Sequence, residues 1–453
     1  MTEKDLKIDK YSYKEAVSYI NSIPRFVASS PSESFDMTGI FYRYLIEQGV
    51  ICDGEGKVFH VAGTNGKGSV CAYLRSIHMA MGKTVGVFTS PHLVDIRERI
   101  TIDDEMISEE DFRDAFMTVM SYLQRFKNEK KYSDYTPVYF TWLFFIAAVY
   151  FSKRSLDAIV WETGLGGKYD ATNVTENKSV TVITEVGLDH MEILGDTKEK
   201  IAAEKAGIIR AGVPVVTVDK DRDVLNVIET EARSKGAPIV ITPNASTIRQ
   251  KMSDKGIDFS YDSHYYNNAT LEVVGHAVYQ TENATLALAA MEAVYPADEL
   301  NLDTLNKGLK LMHHPGRMEM IAPGIYFDGA HNPDGIEALL KSVELDGCTG
   351  ARYMLFSAAA DKQAGVELDM IAGSHLFKKI CIVPISGTRG RSNEELSLLR
   401  DRFISRHTDC EFIDDMKKAY DKYSSCIKKE DRLYVCGSLY LIGELKGYMD
   451  SWI

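Results

Sequence analysis

Two periods alternate along the chain. Short, largely apolar runs over 57–62, 84–88, 156–161, 180–184, 213–218 and 238–242 predict strands, and helical spacing of apolar positions predicts helices over 68–80, 108–127, 138–152, 197–208 and 222–235. Two more helices, 11–24 and 37–48, precede the first strand. Strands alternating with helices predict a mostly parallel sheet with helices packed on its faces. The helix over 138–152 is apolar nearly all round and is expected to be central. Residues 89–100 show neither period and read as a loop after a strand end, where α/β proteins place ligands. Alternating Tyr, Ser and Asn over 252–275 predicts antiparallel strands at the sheet margin. Helices over 281–294 and 302–311 follow.

The breaker cluster His313-His314-Pro315-Gly316 then marks a domain boundary. Beyond it the pattern restarts, with strands over 325–328, 353–356, 380–384 and 432–436 and helices over 333–345, 415–427 and 438–448. The expected architecture is α/β throughout, a large domain over 1–312 and a smaller α/β domain over 313–453. The chain length of 453 residues agrees, being too long for one ordinary core.

Composition narrows the function classes. The apolar run 138–151 contains Thr141 and falls short of the roughly 20 residues that span a bilayer, so no membrane partner is expected. Met1-Thr2-Glu3-Lys4-Asp5 leads into an amphipathic stretch rather than a secretory leader, and the seven scattered cysteines form no CxxC pair. Both point to a reduced, cytoplasmic setting. A formal charge of −13 without a basic tail argues against nonspecific nucleic-acid binding and leaves anionic small substrates open.

The strand over 57–62 runs into Gly63-Thr64-Asn65-Gly66-Lys67-Gly68-Ser69 and then into a helix. That arrangement points backbone N–H groups and a helix N-terminus at a polyphosphate. It departs from the strict P-loop expression, because Ala62 stands at the first glycine position and Gly68 separates Lys67 from Ser69. Glycines also serve simply to make tight turns.

A nucleotide loop that does chemistry needs a magnesium-bearing acid. Glu162 ends an apolar strand beside the loop, and the Gly-rich Gly164-Leu165-Gly166-Gly167-Lys168-Tyr169-Asp170-Ala171-Thr172-Asn173 follows it. The plainer alternative is a surface glutamate at a strand end. His190, in Gly187-Leu188-Asp189-His190, is a second ligand candidate or else a core histidine. Lys205 is either a solvated partner of Glu204 or Glu199, or a cation that faces the site and needs its charge altered. Arg317 reaches phosphate across a cleft or makes a hinge salt bridge. Asp328 and His331 contact ribose or phosphate, unless Asn332-Pro333 merely starts a helix.

Together and in order, these motifs, with Ser90-Pro91-His92-Leu93, Glu204-Lys205-Ala206-Gly207 and Gly437-Ser438-Leu439-Tyr440, resemble the folylpolyglutamate synthase and bifunctional dihydrofolate synthase family of the Mur ligase superfamily. The resemblance covers about residues 35–450. It implies a P-loop ATP-binding domain, a Rossmann-like second domain, ATP and Mg2+, and a reduced folate and L-glutamate as substrates of a monomeric enzyme. Gly63, Thr64, Asn65, Gly66, Lys67, Gly68 and Ser69 would hold the phosphates. Ser69, Ser90, Glu162 and His190 match magnesium positions. Lys205 matches a lysine that is carbamylated in relatives. Arg317 would neutralise phosphate from the second domain, Asp328 and His331 would hold the nucleotide, and the pair Asp361 and Lys362 would help the small domain close. Phe140-Thr141 stands where relatives carry Phe-Glu, Lys168 where they carry Arg, and Thr163 where they carry Val. Those departures touch the folate side. Within the resemblance, dihydropteroate as an added acceptor stays open. A Mur-type ligase acting on a cell-wall nucleotide precursor and a P-loop GTPase switch are the rivals; the latter lacks an Asn-Lys-x-Asp motif.

Overall fold

The computed structural model describes residues 11–25, 30–52, 56–253, 255–360, 364–387 and 390–450. Asp361 and Lys362 lie outside the described residues. The first part of the chain contains α1 (Tyr13–Ser22), α2 (Pro31–Glu47), β1 (Lys57–Ala62), α3 (Lys67–Ala80), β2 (Val85–Phe88), β3 (Ile100–Ile102), β4 (Glu105–Met106), α4 (Glu109–Lys127), α5 (Tyr139–Ser152) and β5 (Ala158–Glu162). It continues through β6 (Val180–Ile183), α6 (Met191–Leu194), α7 (Lys198–Ala206), β7 (Val215–Asp219), α8 (Arg222–Ser234) and β8 (Ile239–Pro243). These strands form one eight-stranded sheet in the order β4-β3-β2-β5-β1-β6-β7-β8. The pairs from β2 to β8 are parallel, and the β3–β4 hairpin adds an antiparallel edge. β1 therefore lies between β5 and β6, while the chain leaving it crosses over to β2. Ligands bind at such a point of divergence, outside the C-terminal strand ends.

Local sequence explains the elements that flank it. α4 starts where the Ser108 hydroxyl accepts from the Asp111 amide; Glu109, Glu110 and Asp111 fill its first turn and Arg125 and Lys127 its last, matching the helix dipole at both ends. α5 is buried over almost its full length and packs Phe144 edge-on and Phe151 tilted against Trp161 of β5, at centroid distances of 5.1 and 5.4 Å. It forms one face of the sheet with α1, α2 and α4. α3 covers the other face with α9 (Tyr279–Glu292) and α10 (Leu302–Leu311). Among the described residues no helix is long and apolar enough to cross a membrane.

The antiparallel strands expected at the sheet margin, β9 (Gln250–Met252), β10 (Gly256–Tyr261) and β11 (Ala269–Val274), form a separate three-stranded sheet instead. Its apolar face, with Ile257, Phe259 and Leu271, packs into the α3–α9–α10 core, so burial rather than edge pairing holds it. The remaining strands, β12 (Glu319–Ala322), β13 (Ile325–Phe327), β14 (Arg352–Phe356), β15 (Lys379–Ile382), β16 (Cys410–Phe412) and β17 (Arg432–Cys436), make a six-stranded sheet ordered β12-β13-β17-β14-β15-β16. On one face of it lie α11 (Pro333–Glu344), α12 (Gly365–Ser374) and α13 (Asn393–Ser405), and on the other α14 (Met416–Cys426) and α15 (Leu439–Asp450).

Several local expectations are corrected. α2 begins at Pro31 rather than 37, with Ser30 as cap. The loop expected over 89–100 ends in a 3-10 turn, Ile96–Arg99, that feeds β3. α12, α13, β12 and β16 are additional elements. α13 carries a readable signal, since Ser392 and Glu395 form a reciprocal capping box.

The contact between α10 and α3 fixes the helix that carries the phosphate loop. A Cβ on Gly308 would sit 2.7 Å from Ile77 Cα, so the helices touch backbone to backbone there. Gly308→Ala is expected to lower stability by about 1–3 kcal/mol through overpacking. Gly447→Ala in α15, where a Cβ meets nothing within 4 Å, should be neutral or stabilising by about 0.4–1 kcal/mol. Denaturant midpoints of the two variants check the contrast.

Candidate active site

β1 delivers the loop 63–66 to the sheet's C-terminal edge, and α3 starts at Lys67 with Gly66 as its left-handed cap, φ 86°. The loop is pressed against its surroundings. A side chain at Gly63 would run into Thr184 and one at Gly66 into Asn283. β6 braces the loop from below: the Thr184 hydroxyl donates to Asn65 O at 2.6 Å and the Thr64 amide donates to Glu185 O at 2.7 Å. α9 braces Ser69, whose hydroxyl accepts from Gln280 Nε2 at 3.3 Å, while Asn283 donates to Gln280 at 3.1 Å.

Two lysines converge on one acceptor. Lys67 Nζ donates to Gly63 O at 3.0 Å and to Thr64 O at 3.2 Å, and Lys205 Nζ donates to Gly63 O at 2.6 Å. Lys205 is only 3% exposed, which excludes the solvated salt-bridge reading. Burial, and then repulsion by Lys67, hold its amine well below the usual lysine range. Glu162 is 2% exposed and accepts the Ser90 amide at 2.8 Å, which excludes a surface role. Burial pushes its carboxyl up, and Lys67, the Ser90 amide, Arg317 and Arg99 pull against that.

Lys67, Ser69, Ser90, Glu162, His190 and Lys205 all line one cleft of about 740 Å³. The bare backbone at the start of α3 is a cradle that side chains would fill, which fits a phosphate chain. Ser69, Ser90 and Glu162 offer oxygen donors only, the chemistry Mg2+ favours. His190 adopts φ 51° ahead of α6 and is exposed, its Nε2 4.0 Å from Asp189 Oδ1, so it is not a core histidine. Among the described residues no three His, Cys, Asp or Glu side chains are grouped to hold a metal by themselves.

The six-stranded sheet closes the cleft from the other side. Asp328, at the end of β13, accepts from Tyr279 Oη at 2.6 Å, from the Met318 amide at 2.8 Å and from the Ala330 amide at 2.8 Å. Three donors already engage this carboxylate, so it braces the seam between α9 and β13 in addition to lining the cleft. Arg317 lines the cleft with its guanidinium against Gly316 O at 3.2 Å. His331 donates from Nδ1 to Gly329 O at 2.7 Å, leaving Nε2 3.8 Å from Asp189. Asn332 caps α11, as a helix start at Asn332-Pro333 requires, and it also exchanges hydrogen bonds with Asn65 at 3.0 and 3.3 Å.

The far end of the cleft is walled by Phe35, Tyr139, Phe140, Tyr169, Ile193 and Leu194. Phe35 and Tyr169 meet edge-on at 6.0 Å. Thr141 is buried in this wall, Lys168 lies over the Tyr169 ring at 5.0 Å, and the Thr163 hydroxyl is buried without a hydrogen-bond partner. Sequence reasoning missed Thr184, Gln280, Asn283 and Tyr279, because polar residues inside strand and helix patterns carry no sign of what they touch. It also missed Arg99.

Comparison with known proteins follows the same division. Residues 61–291 match the Mur ligase middle domain, and residues 316–439 match the Mur ligase glutamate ligase domain. The chain is 37% identical over 314 residues to the dihydrofolate synthase/folylpolyglutamate synthase of Bacillus subtilis (strain 168), covering 68% of this chain and 72% of that one. It is 32% identical over 384 residues to the folylpolyglutamate synthase of Lacticaseibacillus casei, covering 83% and 86%. The apo structure of an L. casei folylpolyglutamate synthase superposes with a TM-score of 0.81 at 28% identity over 97% of this chain and 100% of that one. Escherichia coli FolC in complex with ADP gives 0.80 at 28% identity over 97% and 98%. The phosphate loop, the cleft and the second domain thus sit in a ligase of known architecture, and the chain belongs to the folylpolyglutamate synthase/dihydrofolate synthase family of the Mur ligase superfamily.

Proposed function

We propose that this ligase uses ATP to join L-glutamate to the γ-carboxyl of a reduced folate through an acyl phosphate, releasing ADP and phosphate. The observation that carries the reading is the convergence of Lys67 and Lys205 on Gly63 O, beside buried Glu162, in a cleft that ends in an aromatic wall. The wall suits a flat heterocycle and the cationic end suits a polyphosphate.

A carboxylate is a poor acylating agent, so its oxygen first attacks the γ-phosphorus and ADP leaves. Lys67 follows the charge that grows on the transferring phosphoryl group, and the α3 N-terminus adds its N–H groups. Ser69, Ser90 and Glu162 would hold Mg2+, with His190 toward the acceptor; when bound, the ion supplies charge neutralisation at the phosphates. The amine of glutamate then attacks the acyl carbon, the C–O bond to phosphate breaks, and the amine proton passes to solvent or phosphate. Arg317 and the Asn65–Asn332 contact bring the second domain over the site and keep water from the acyl phosphate.

Lys205 takes a further step in this reading. A neutral buried amine attacks CO2, forming a C–N bond and losing one proton, and the resulting carbamate places an anion next to the Lys67 ammonium. The lowered proton affinity of Lys205 supports it.

Purified protein incubated with ATP, Mg2+ and glutamate against tetrahydrofolate and dihydropteroate separately, with products identified by mass, tests the reaction and its acceptor. Lys67→Ala is expected to lower turnover by about a hundredfold or more with stability unchanged; turnover within threefold of the parent would discard its role. Glu162→Gln and His190→Ala should raise the magnesium requirement without unfolding, and an unchanged magnesium titration for both would make them structural. Intact-mass measurement under gentle conditions should show one CO2 adduct that Lys205→Ala abolishes, along with about tenfold or more of the activity. Short carboxylates such as formate should restore part of that loss.

A further inference from the structure

Arg99 is a buried cation without a direct ion pair among the described residues, and the carboxylate whose charge bears on it is Glu162. Its side chain ends the 3-10 turn before β3, is 8% exposed and lines the cleft. Its Nε donates to His92 Nδ1 at 2.8 Å, and its guanidinium lies over the Tyr139 ring, 5.6 Å from the centroid. No carboxylate stands within ion-pair distance of it among the described residues. The acids nearest in sequence are committed elsewhere. Asp95 grips Arg97 with both oxygens, and Glu98 accepts the Leu93, Val94 and Asp95 amides at 2.7 to 2.8 Å.

A second guanidinium stands on the same ring. Arg25 lies 5.8 Å from the Tyr139 centroid, and its own hydrogen bond is to Tyr440 Oη at 3.4 Å. The Tyr139 amide donates to Pro24 O at 3.2 Å, which fixes Arg25 beside the ring. Like charges brought together without a counter-ion cost stability unless a ligand completes them. Guanidinium forks match carboxylates in shape and charge.

We propose that Arg99 and Arg25 form a carboxylate site that takes the α-carboxylate of the glutamate already carried by the acceptor. The inference rests on the proposed folate reaction and adds the group that selects its substrate. The activated γ-carboxylate belongs at Lys67 and Glu162. Ser90 touches Glu162 and His92 touches Arg99, so one short loop carries contacts to both ends. Dihydropteroate has a single carboxylate and leaves this site empty, so the chain should favour an acceptor that already bears glutamate.

The test uses the whole enzyme with two acceptors: tetrahydrofolate monoglutamate, and the same compound with its α-carboxylate converted to the amide. The parent should show a KM for the α-amide raised tenfold to a hundredfold, the range for losing a charged hydrogen-bonded partner. Arg99→Gln and Arg25→Gln should raise KM for the natural acceptor toward that of the amide while leaving KM for ATP and the use of the amide nearly unchanged. Arg99→Lys should recover part of the loss. Arg25 is exposed, so its variant keeps the test open if Arg99→Gln does not fold, and the parent's discrimination between the two acceptors needs no variant at all. A parent that uses acid and amide equally, or variants that keep the parent KM, would overturn the carboxylate site and leave the ligase reading intact. A parent with no folate-dependent ADP release and no folate binding would overturn both.

Discussion

Two ammonium groups share one carbonyl oxygen at the end of β1, and much of the cleft is arranged around that crowding. Lys67 and Lys205 approach Gly63 O from α3 and α7, elements on different sides of β1. Two full charges this close in a buried place repel strongly, and the arrangement is relieved by lowering the charge of one or by adding anions. Glu162 supplies one anion from β5, ATP would supply more, and a carbamate would convert the second lysine itself. Sheet order sets up the geometry, since β5 and β6 flank β1 and place Glu162 and Thr184 on either side of the same loop.

Closure by the second domain follows from the same need. Tyr279 of α9 donates to Asp328, and Asn65 pairs with Asn332, so the seam is stitched by polar contacts that reach from the phosphate loop and its supporting helix. Ala277, just ahead of α9, packs into the core of the second domain, and the Val278 amide donates to Ser342 Oγ at 3.1 Å. The seam thus has an anchor besides the connection over 312–318. A reaction through an acyl phosphate requires water to be excluded at one stage and products to leave at another. Polar stitching that opens without exposing a large apolar core is suited to that cycle.

The acceptor end obeys a different rule. Its wall is aromatic and apolar, and its charge sits in guanidiniums stacked on Tyr139 rather than in ion pairs. Thr141 lines this wall and Lys168 lies over its Tyr169 ring. In the proposed reaction, phosphate chemistry and acceptor choice would therefore fall to separate residues, linked through the short loop from Ser90 to Arg99.

Periodicity in the sequence was enough to place the strands and helices that surround β1, because burial on one side or on all sides leaves a mark every second or every third and fourth residue. It also located the motifs at strand ends, and their order carried the family. It did not reveal α12 or α13, whose apolar positions are few or short, and it placed the antiparallel strands over 252–275 at the margin of the main sheet rather than in a sheet of their own. It left Lys205 poised between surface and site, and it offered Asn332 only as a helix start, since a side chain's partner is not encoded by its neighbours in the chain. Only the crossing of α7 beneath β1 buried Lys205, and only the approach of the second domain gave Asn332 its partner. Arg99 shows the limit most plainly: nothing in its neighbours in the chain tells that the turn spends Asp95 on Arg97 and Glu98 on backbone amides, and that the fold leaves the Arg99 charge facing the cleft.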